Sequence, residues 1–368
     1  MKVAHLSSAH PAYDVRIHYK ECKTLAEAGY DVVIILPFEG KDDTPGLRIH
    51  PLPLPRGRRD RMTKTVWQVY RAALAENADV YHFHDPELLP IGLLLKMHGK
   101  RVIYDVHEDY VATTGTKEWL PKFARGALSG AVKLVQNVGV ACFDKTMAAT
   151  PSIASKLNPR KTVLLQNFPF TSELVASTSD DYASRPNQLL YAGIITSIRC
   201  AREMVDAMNL LPPSVDAKLL MVGAVDGGLE EVVAAIEASS RVTYGGVLKR
   251  DGLQKAMAQS RAGIVVFYPL PNHVDAQPNK LFEYMSAGLP VIASDFPLWR
   301  EIVDGAKCGL LVDPLDPKSI ASAVQWVFEH PAEAEQMGLR GQAAVRERFN
   351  WDSEARTLVN TYAAIAGK

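Results

Sequence analysis

The stretch Asp275-Ala-Gln-Pro278-Asn-Lys280-Leu-Phe-Glu283-Tyr-Met-Ser-Ala-Gly288-Leu-Pro290 carries the most suggestive spacing of acid, base and helix signals in the chain. A polar loop ending at Pro278 runs into a helical pattern that stops at Gly288, and an apolar strand follows at once. The first amides of a helix lack intrahelical acceptors and the helix dipole favours an anion beside them, so this start can hold a diphosphate. Lys280 adds a cation there. Glu283 lies about one turn deeper on nearly the same face, and a carboxylate there can accept hydrogen bonds from both hydroxyls of a ribose. Asp275 sits in the loop, within reach of a sugar hydroxyl. The plainer reading is a capped helix with solvated charges.

Two further clusters stand at the ends of apolar runs. In Tyr104-Asp105-Val106-His107-Glu108-Asp109 the imidazole of His107 can both donate and accept at the carboxyl end of a strand, where ligands of parallel sheets bind. Glu108 and Asp109 are either acceptor-side polar groups or helix-start caps. In His82-Phe-His84-Asp85, period-two alternation puts both histidines on one face, which suits a metal, the lining of an acceptor site or local packing. The glycine-rich fingerprint of dinucleotide-binding folds is missing from the first strand–helix turn, Ser7-Ser-Ala-His-Pro-Ala-Tyr-Asp-Val-Arg16, and no P-loop occurs. The Gly223-to-Gly228 stretch is a weak signal, since glycines after a parallel strand commonly just make the turn.

Alternating elements must position these groups. Lys2–Leu6, Asp31–Leu36, Asp79–His84, Arg101–Val106, Lys145–Ala149 and Thr162–Leu165 read as strands, with helices expected at Ile17–Ala28, Val66–Glu76, Leu88–Met97 and around Pro121–Cys142. Asp31–Leu36 is apolar throughout, as expected of a strand covered on both faces. The rhythm restarts with strands at Gln188–Ala192, Ala217–Val222, Arg241–Thr243, Ala262–Phe267, Pro290–Ala293 and Cys308–Val312. Helices are expected at Ala201–Leu211, Leu229–Ala238, Asp251–Gln259 and Lys280–Ala287, and from Asp316 onward. This predicts two doubly wound α/β domains facing each other across a cleft: residues 1–170, a polar linker at 171–187, and residues 188–350, with a helix at about 351–368 packing back on the first.

The chain has 368 residues, 41 basic and 41 acidic. Zero net charge argues against a general polyanion binder, and no nucleic-acid module is present. The charge is nevertheless uneven: residues 1–170 hold 23 basic and 17 acidic side chains, so the first half is suited to an anionic partner. Arg56-Gly-Arg58-Arg59-Asp-Arg61-Met-Thr-Lys64 is a basic cluster before a helix. Lys117, Lys122, Arg125 and Lys133 punctuate a second region that is partly amphipathic. Such surfaces can rest on anionic lipid. Four dispersed cysteines fit a reducing compartment, and the absence of a long apolar run or leader predicts a cytoplasmic protein, peripheral to the inner face of the membrane at most.

The whole chain resembles the retaining glycosyltransferases of family 4, which have the two-domain GT-B architecture. The Asp275-to-Pro290 stretch is similar to that family's E-x7-E region. The resemblance implies that Glu283 holds the donor ribose and that Asp275, where the family has Glu, contacts the transferred sugar. Tyr191-Ala-Gly193-Ile194-Ile-Thr-Ser-Ile-Arg199-Cys200 resembles the family's diphosphate motif: Arg199 falls at its Lys, Ile194 at its Arg and Cys200 at its second Gly. Gly193 and Arg199, with Lys280 or Arg16 compensating for the missing cation, are thus implied at the donor diphosphate. His107 matches the family's active-site histidine, and Gly246 and Val247 fall in the region that reads the base. His84 and Asp85 are candidates for lining the acceptor side, as are Glu108 and Asp109 where these are not helix-start caps. The resemblance further implies transfer from a nucleotide-diphosphate sugar to a glycan or lipid-linked glycan, with no metal or other cofactor required. Two alternatives remain: a nucleotide-sugar 2-epimerase on the same fold, and a catalytically weak sugar-nucleotide-binding protein.

Overall fold

The computed structural model describes residues 1–40, 44, 46–108, 130, 134, 136–171, 182–226 and 229–367. They form two compact units, Met1–Asn167 with Trp351–Lys368, and Phe168–Asn350. Asp109 and the basic residues Lys117, Lys122, Arg125 and Lys133 lie outside the described residues.

The first unit is built on seven parallel strands: β1 (Lys2–Leu6), β2 (Asp31–Pro37), β3 (Leu47–Leu52), β4 (Val80–Phe83), β5 (Arg101–Val106), β6 (Lys145–Ala148) and β7 (Thr162–Leu164), in the spatial order β3-β2-β1-β4-β5-β6-β7. β1 pairs with β2 on one side (Ala4↔Val33) and with β4 on the other (His5↔His82). The chain therefore winds outward in both directions from the gap between β1 and β4, and such a switch point leaves a crevice at the strands' carboxyl ends. β3 was not expected from the sequence. It is an edge strand whose burial alternates and which contains Pro51, a residue an edge tolerates because its missing N–H breaks no interior ladder.

The helix after β1 opens at Asp14, whose Oδ1 accepts from the amides of Arg16 and Ile17. It begins with a wide π-helical stretch, Val15–Cys22, and continues as Lys23–Glu27. Gly29 ends it at a φ of 87°, a left-handed conformation that glycine adopts without steric cost. The last helix, Trp351–Ala366, belongs to this unit: the Trp351 indole donates to Thr24 Oγ1 at 2.9 Å, and Tyr362 is fully buried beneath it.

The second unit holds β8 (Gln188–Ala192), β9 (Lys218–Val222), β10 (Val242–Tyr244), β11 (Ala262–Val265), β12 (Val291–Ser294) and β13 (Gly309–Val312), all parallel, in the order β10-β9-β8-β11-β12-β13. Its switch point lies between β8 and β11. The helices Ala201–Leu210 and Pro317–Glu329 bury Met204, Met208, Ile320 and Val324 against one face of the sheet. Asn279–Ser286 buries Leu281, Phe282 and Tyr284 against the other. The predicted linker needs correction at its end: Tyr182–Ser184 is a helical turn, and Tyr182 is buried in this unit's core with its hydroxyl donating to the Arg261 carbonyl at 2.6 Å. A helix at Pro297–Ala306 also escaped the sequence reading.

Candidate active-site residues

In the second unit the turn after β8 is shaped for close approach of backbone. Gly223 has a φ of 139°, and a Cβ there would lie 1.9 Å from the Gly193 carbonyl oxygen, so only glycine fits. The chain then makes a single helical turn, Ser197–Arg199, and Cys200 takes a φ of 54° before the helix Ala201–Leu210 begins. Cys200 thus occupies the left-handed conformation in which glycine would be unstrained. Arg199 folds back over Gly193: its Nη1 is 3.3 Å from where a Cβ of Gly193 would be. Its guanidinium carbon also sits 5.4 Å over the Phe267 ring, within cation–π range. Phe267 follows β11, so Arg199 is held at the switch point between β8 and β11.

Phe267 leads into the loop that carries the second set of groups. Its ring packs on His273 at 5.0 Å and on Trp299 at 5.4 Å, and the Trp299 indole donates to the Ala276 carbonyl at 2.7 Å. Burial lowers the His273 pKa. Asp275 is exposed at the end of the short helix Pro271–Val274. Asn279–Ser286 then starts after Pro278, which has no side chain able to cap it. Lys280 Nζ donates to Glu283 Oε2 at 2.7 Å, and both side chains are about one-third exposed. Lys280 and Glu283, read from the sequence as separate contacts to diphosphate and ribose, therefore hold one another. Gly246 has a φ of 70° and its carbonyl accepts from the Gly223 amide at 2.8 Å, while Val247 beside it is 73% exposed.

In the first unit the strand ends converge on a buried polar cluster. Asp105 Oδ2 accepts from His107 Nε2 at 2.7 Å and lies 3.2 Å from His84 Nδ1. Arg16 donates to both oxygens of Asp105 and also to the Leu165 carbonyl. Its Nε lies 3.0 Å from Glu21 Oε1. Arg16 is only 5% exposed. This corrects its expected role as a diphosphate cation, because the guanidinium is spent inside the unit on two carboxylates and a carbonyl. Burial would raise the Asp105 pKa, but Arg16 and then His107 reverse that and hold it well below the carboxylate range. Burial and the Asp105 charge drive Glu21 the other way, well above it. Burial pushes His84 down to about 4.

His84 and Asp85 were expected to line the acceptor side, yet both are buried. Asp85 instead organises the loop after β1, accepting from the Ser8 amide at 2.7 Å and from Ser7 Oγ at 2.8 Å, with His10 Nδ1 at 3.1 Å. It is Ser8 and His10 of that loop, with Arg58 and Arg61 of the basic cluster, that line an open groove of about 730 Å³. Of the expected first-unit residues, His107 is slightly exposed and Glu108 is exposed. The sequence reading missed His5, Glu21 and Asp105 as members of a site. The available signal was a polar residue inside an otherwise buried strand, in Lys2-Val-Ala-His5-Leu and Arg101-Val-Ile-Tyr-Asp105-Val, since such a group must find a partner.

Comparison with known proteins follows this division. Residues 186–330 match the family described as glycosyl transferases group 1, and residues 19–161 match the glycosyl transferase 4-like domain. The phosphatidyl-myo-inositol mannosyltransferase of Mycobacterium tuberculosis is 29% identical over 202 residues, 52% of this chain and 51% of that protein. The chain spans about half the length of the curated relatives it matches. Among solved structures, sucrose-phosphate synthase from Thermosynechococcus elongatus superposes with a TM-score of 0.80 at 20% identity, covering 100% of this chain and 99% of that one. Anabaena Alr3699/HepE in complex with UDP-glucose gives 0.74 at 14% identity, covering 99% and 100%. These likenesses establish the GT-B fold. Among the described residues no helix is long and apolar enough to cross a membrane.

Proposed function

This chain belongs to the group 1, family 4-type glycosyltransferases, and from that premise we propose that it moves a sugar from a nucleotide-diphosphate donor to an acceptor hydroxyl with retention of configuration. The observation that carries this reading is the pair of elements at the second unit's switch point. Arg199 is clamped over Gly193 and Phe267, and a helix starts at Pro278 with Lys280 and Glu283 in its first turns. Arg199, Lys280 and the helix-start amides take the diphosphate. Positive charge fixed before reaction stabilises the leaving group as its negative charge develops. Glu283, oriented by Lys280, takes the ribose diol, and Asp275 takes a hydroxyl of the transferred sugar. Gly246 and Val247 lie along the base. The solved relative that holds UDP-glucose makes uridine diphosphate sugars the first donors to test.

The first unit serves the acceptor in this reading. Asp105 fixes the ring of His107, which supplies a hydrogen bond to the sugar or the departing phosphate. The groove beside Ser8, His10, Arg58 and Arg61 takes the acceptor. Leu54, Met62 and Trp67 are each about half exposed among Arg56, Arg58, Arg59 and Lys64. Apolar side chains set among cations suit an acceptor presented at an anionic lipid surface, as in cell-surface polysaccharide or glycolipid assembly. The diphosphate oxygen nearest the reacting carbon takes the acceptor proton, so no protein base is assigned.

Incubating the full chain with a panel of nucleotide sugars and lipid or glycan acceptors tests the reading. Nucleoside diphosphate released only when an acceptor is present supports it. Isomerisation of the sugar without any acceptor would replace it with an epimerase.

A further inference from the structure

The buried cluster of the first unit contains more ligating atoms than the transfer reaction uses. We propose that His5, His82, His84 and Glu21 form a structural zinc site that ties β1 and β4 to the helix Val15–Cys22. All four side chains are fully buried, and one ligand atom from each lies within 4.8 Å of every other. His5 and His82 are cross-strand partners, and His84 lies two residues on, on the same face. Glu21 reaches them from the helix.

The separations fit a tetrahedral ion. Zinc bonds of about 2.0–2.2 Å place neighbouring ligand atoms about 3.4 Å apart. His5 Nδ1 is 3.0 Å from His84 Nε2, and Glu21 Oε2 is 3.9 Å from His5 Nδ1 and 3.8 Å from His82 Nδ1. The remaining separations are within 4.8 Å, so an ion would draw the ligand atoms inward. The set of three imidazole nitrogens and one carboxylate oxygen is one that zinc favours.

Outer partners for two of the three histidines are already in place. A ligating histidine ordinarily donates its other ring N–H to a carboxylate or similar acceptor, which fixes the tautomer. His84 would bind through Nε2, and its Nδ1 faces Asp105 at 3.2 Å. His5 would bind through Nδ1, and its Nε2 faces the Tyr362 hydroxyl at 3.4 Å. The same hydroxyl lies 2.9 Å from His82 Nδ1 and would turn toward His5 when that nitrogen takes the ion. Without an ion the carboxylate is poorly satisfied: both Glu21 oxygens are buried with no hydrogen-bond partner among the described residues, Arg16 meeting Glu21 Oε1 as an ion pair only.

The test uses the untagged full chain. Metal analysis of protein purified from zinc-supplemented cells should find one zinc per chain. Protein unfolded, stripped with a chelator and refolded with Co2+ should show the visible d–d bands of a tetrahedral complex, saturating at one equivalent. His82→Ala should abolish those bands, and His330→Ala, in the other unit, should leave them unchanged. Should His82→Ala fail to fold, Glu21→Gln, which keeps the side chain's shape and removes the ligand's charge, supplies a second reading, with Co2+ affinity falling at least about tenfold. Protein that is folded by circular dichroism, carries no zinc when isolated and gives no saturable Co2+ bands overturns the proposal. So do bands that survive His82→Ala, or a Co2+ affinity that Glu21→Gln leaves unchanged.

Discussion

Asp105 receives Arg16 through both of its carboxylate oxygens, Oδ2 from Nε and Oδ1 from Nη2, each at 2.8 Å, with neither side chain open to solvent. The planar guanidinium matches a carboxylate in this two-bond geometry, which a lysine could not reproduce. Because the pair is buried, its value shows when one partner is removed and the other charge is left uncompensated. Asp105→Asn should therefore cost about 3–5 kcal/mol in urea unfolding, and Arg16→Lys should also destabilise the fold. A loss under about 1 kcal/mol for Asp105→Asn would mean that Arg16 is held by other means, because exposed pairs contribute only that much.

Glu76 provides a pH-dependent contribution far from the candidate active-site residues. It accepts from Arg48 through both oxygens at 2.8 and 2.7 Å, and it meets Lys2 at 2.7 Å and His50 at 2.8 Å. Arg48, then Lys2 and His50, hold its pKa well below the ordinary value of 4.5. A depressed carboxylate stabilises the fold above its unfolded pKa and loses that contribution as pH falls through the folded one. Its partners are partly exposed, so the expected loss in Glu76→Gln at neutral pH is about 1–2 kcal/mol. Denaturation across pH 7 to 3 should show the two proteins converging once the pH drops below 4.5. A constant difference over that range would show that packing, not charge, is responsible.

Arg199 should act on phosphate and not on the base. Truncation to Ala leaves Phe267 and Gly193 in place, so the turn should survive. A charge-assisted hydrogen bond contributes about 1.5–3 kcal/mol, or roughly 10- to 150-fold in affinity. Calorimetry on Arg199→Ala should show that loss for a nucleoside diphosphate and almost none for the nucleoside. Equal losses for both ligands would place Arg199 away from the diphosphate.

Several features of this architecture were legible in the residues. The apolar run Asp31–Leu36 announced a strand covered on both faces, and the strand–helix alternation announced doubly wound sheets. Edge strand β3 was not legible, because a half-exposed strand with Pro51 lacks the signature of its neighbours. The helical start at Asn279 could be read from Pro278 and Gly288, but the Lys280–Glu283 pairing depends on side-chain rotamers that spacing leaves open. Arg16 was misread for a similar reason. Sequence shows a cation opening a helix, and only the pairing of β1 with β4 and of β4 with β5 brings Asp105 to it. The hidden roles of His5 and Glu21 follow from the same three-dimensional convergence.

The central claim is that Glu283 grips the pentose of a nucleotide sugar, and the most direct measurement compares two ligands on two proteins. A nucleoside diphosphate bound by the full chain and its 2′,3′-dideoxy counterpart would each be titrated into the wild type and Glu283→Gln. The account predicts that the wild type prefers the intact ribose at least about tenfold, as expected for hydrogen bonds to a charged acceptor, and that Glu283→Gln loses most of that preference while keeping its affinity for the dideoxy ligand. The same preference in both proteins would contradict it.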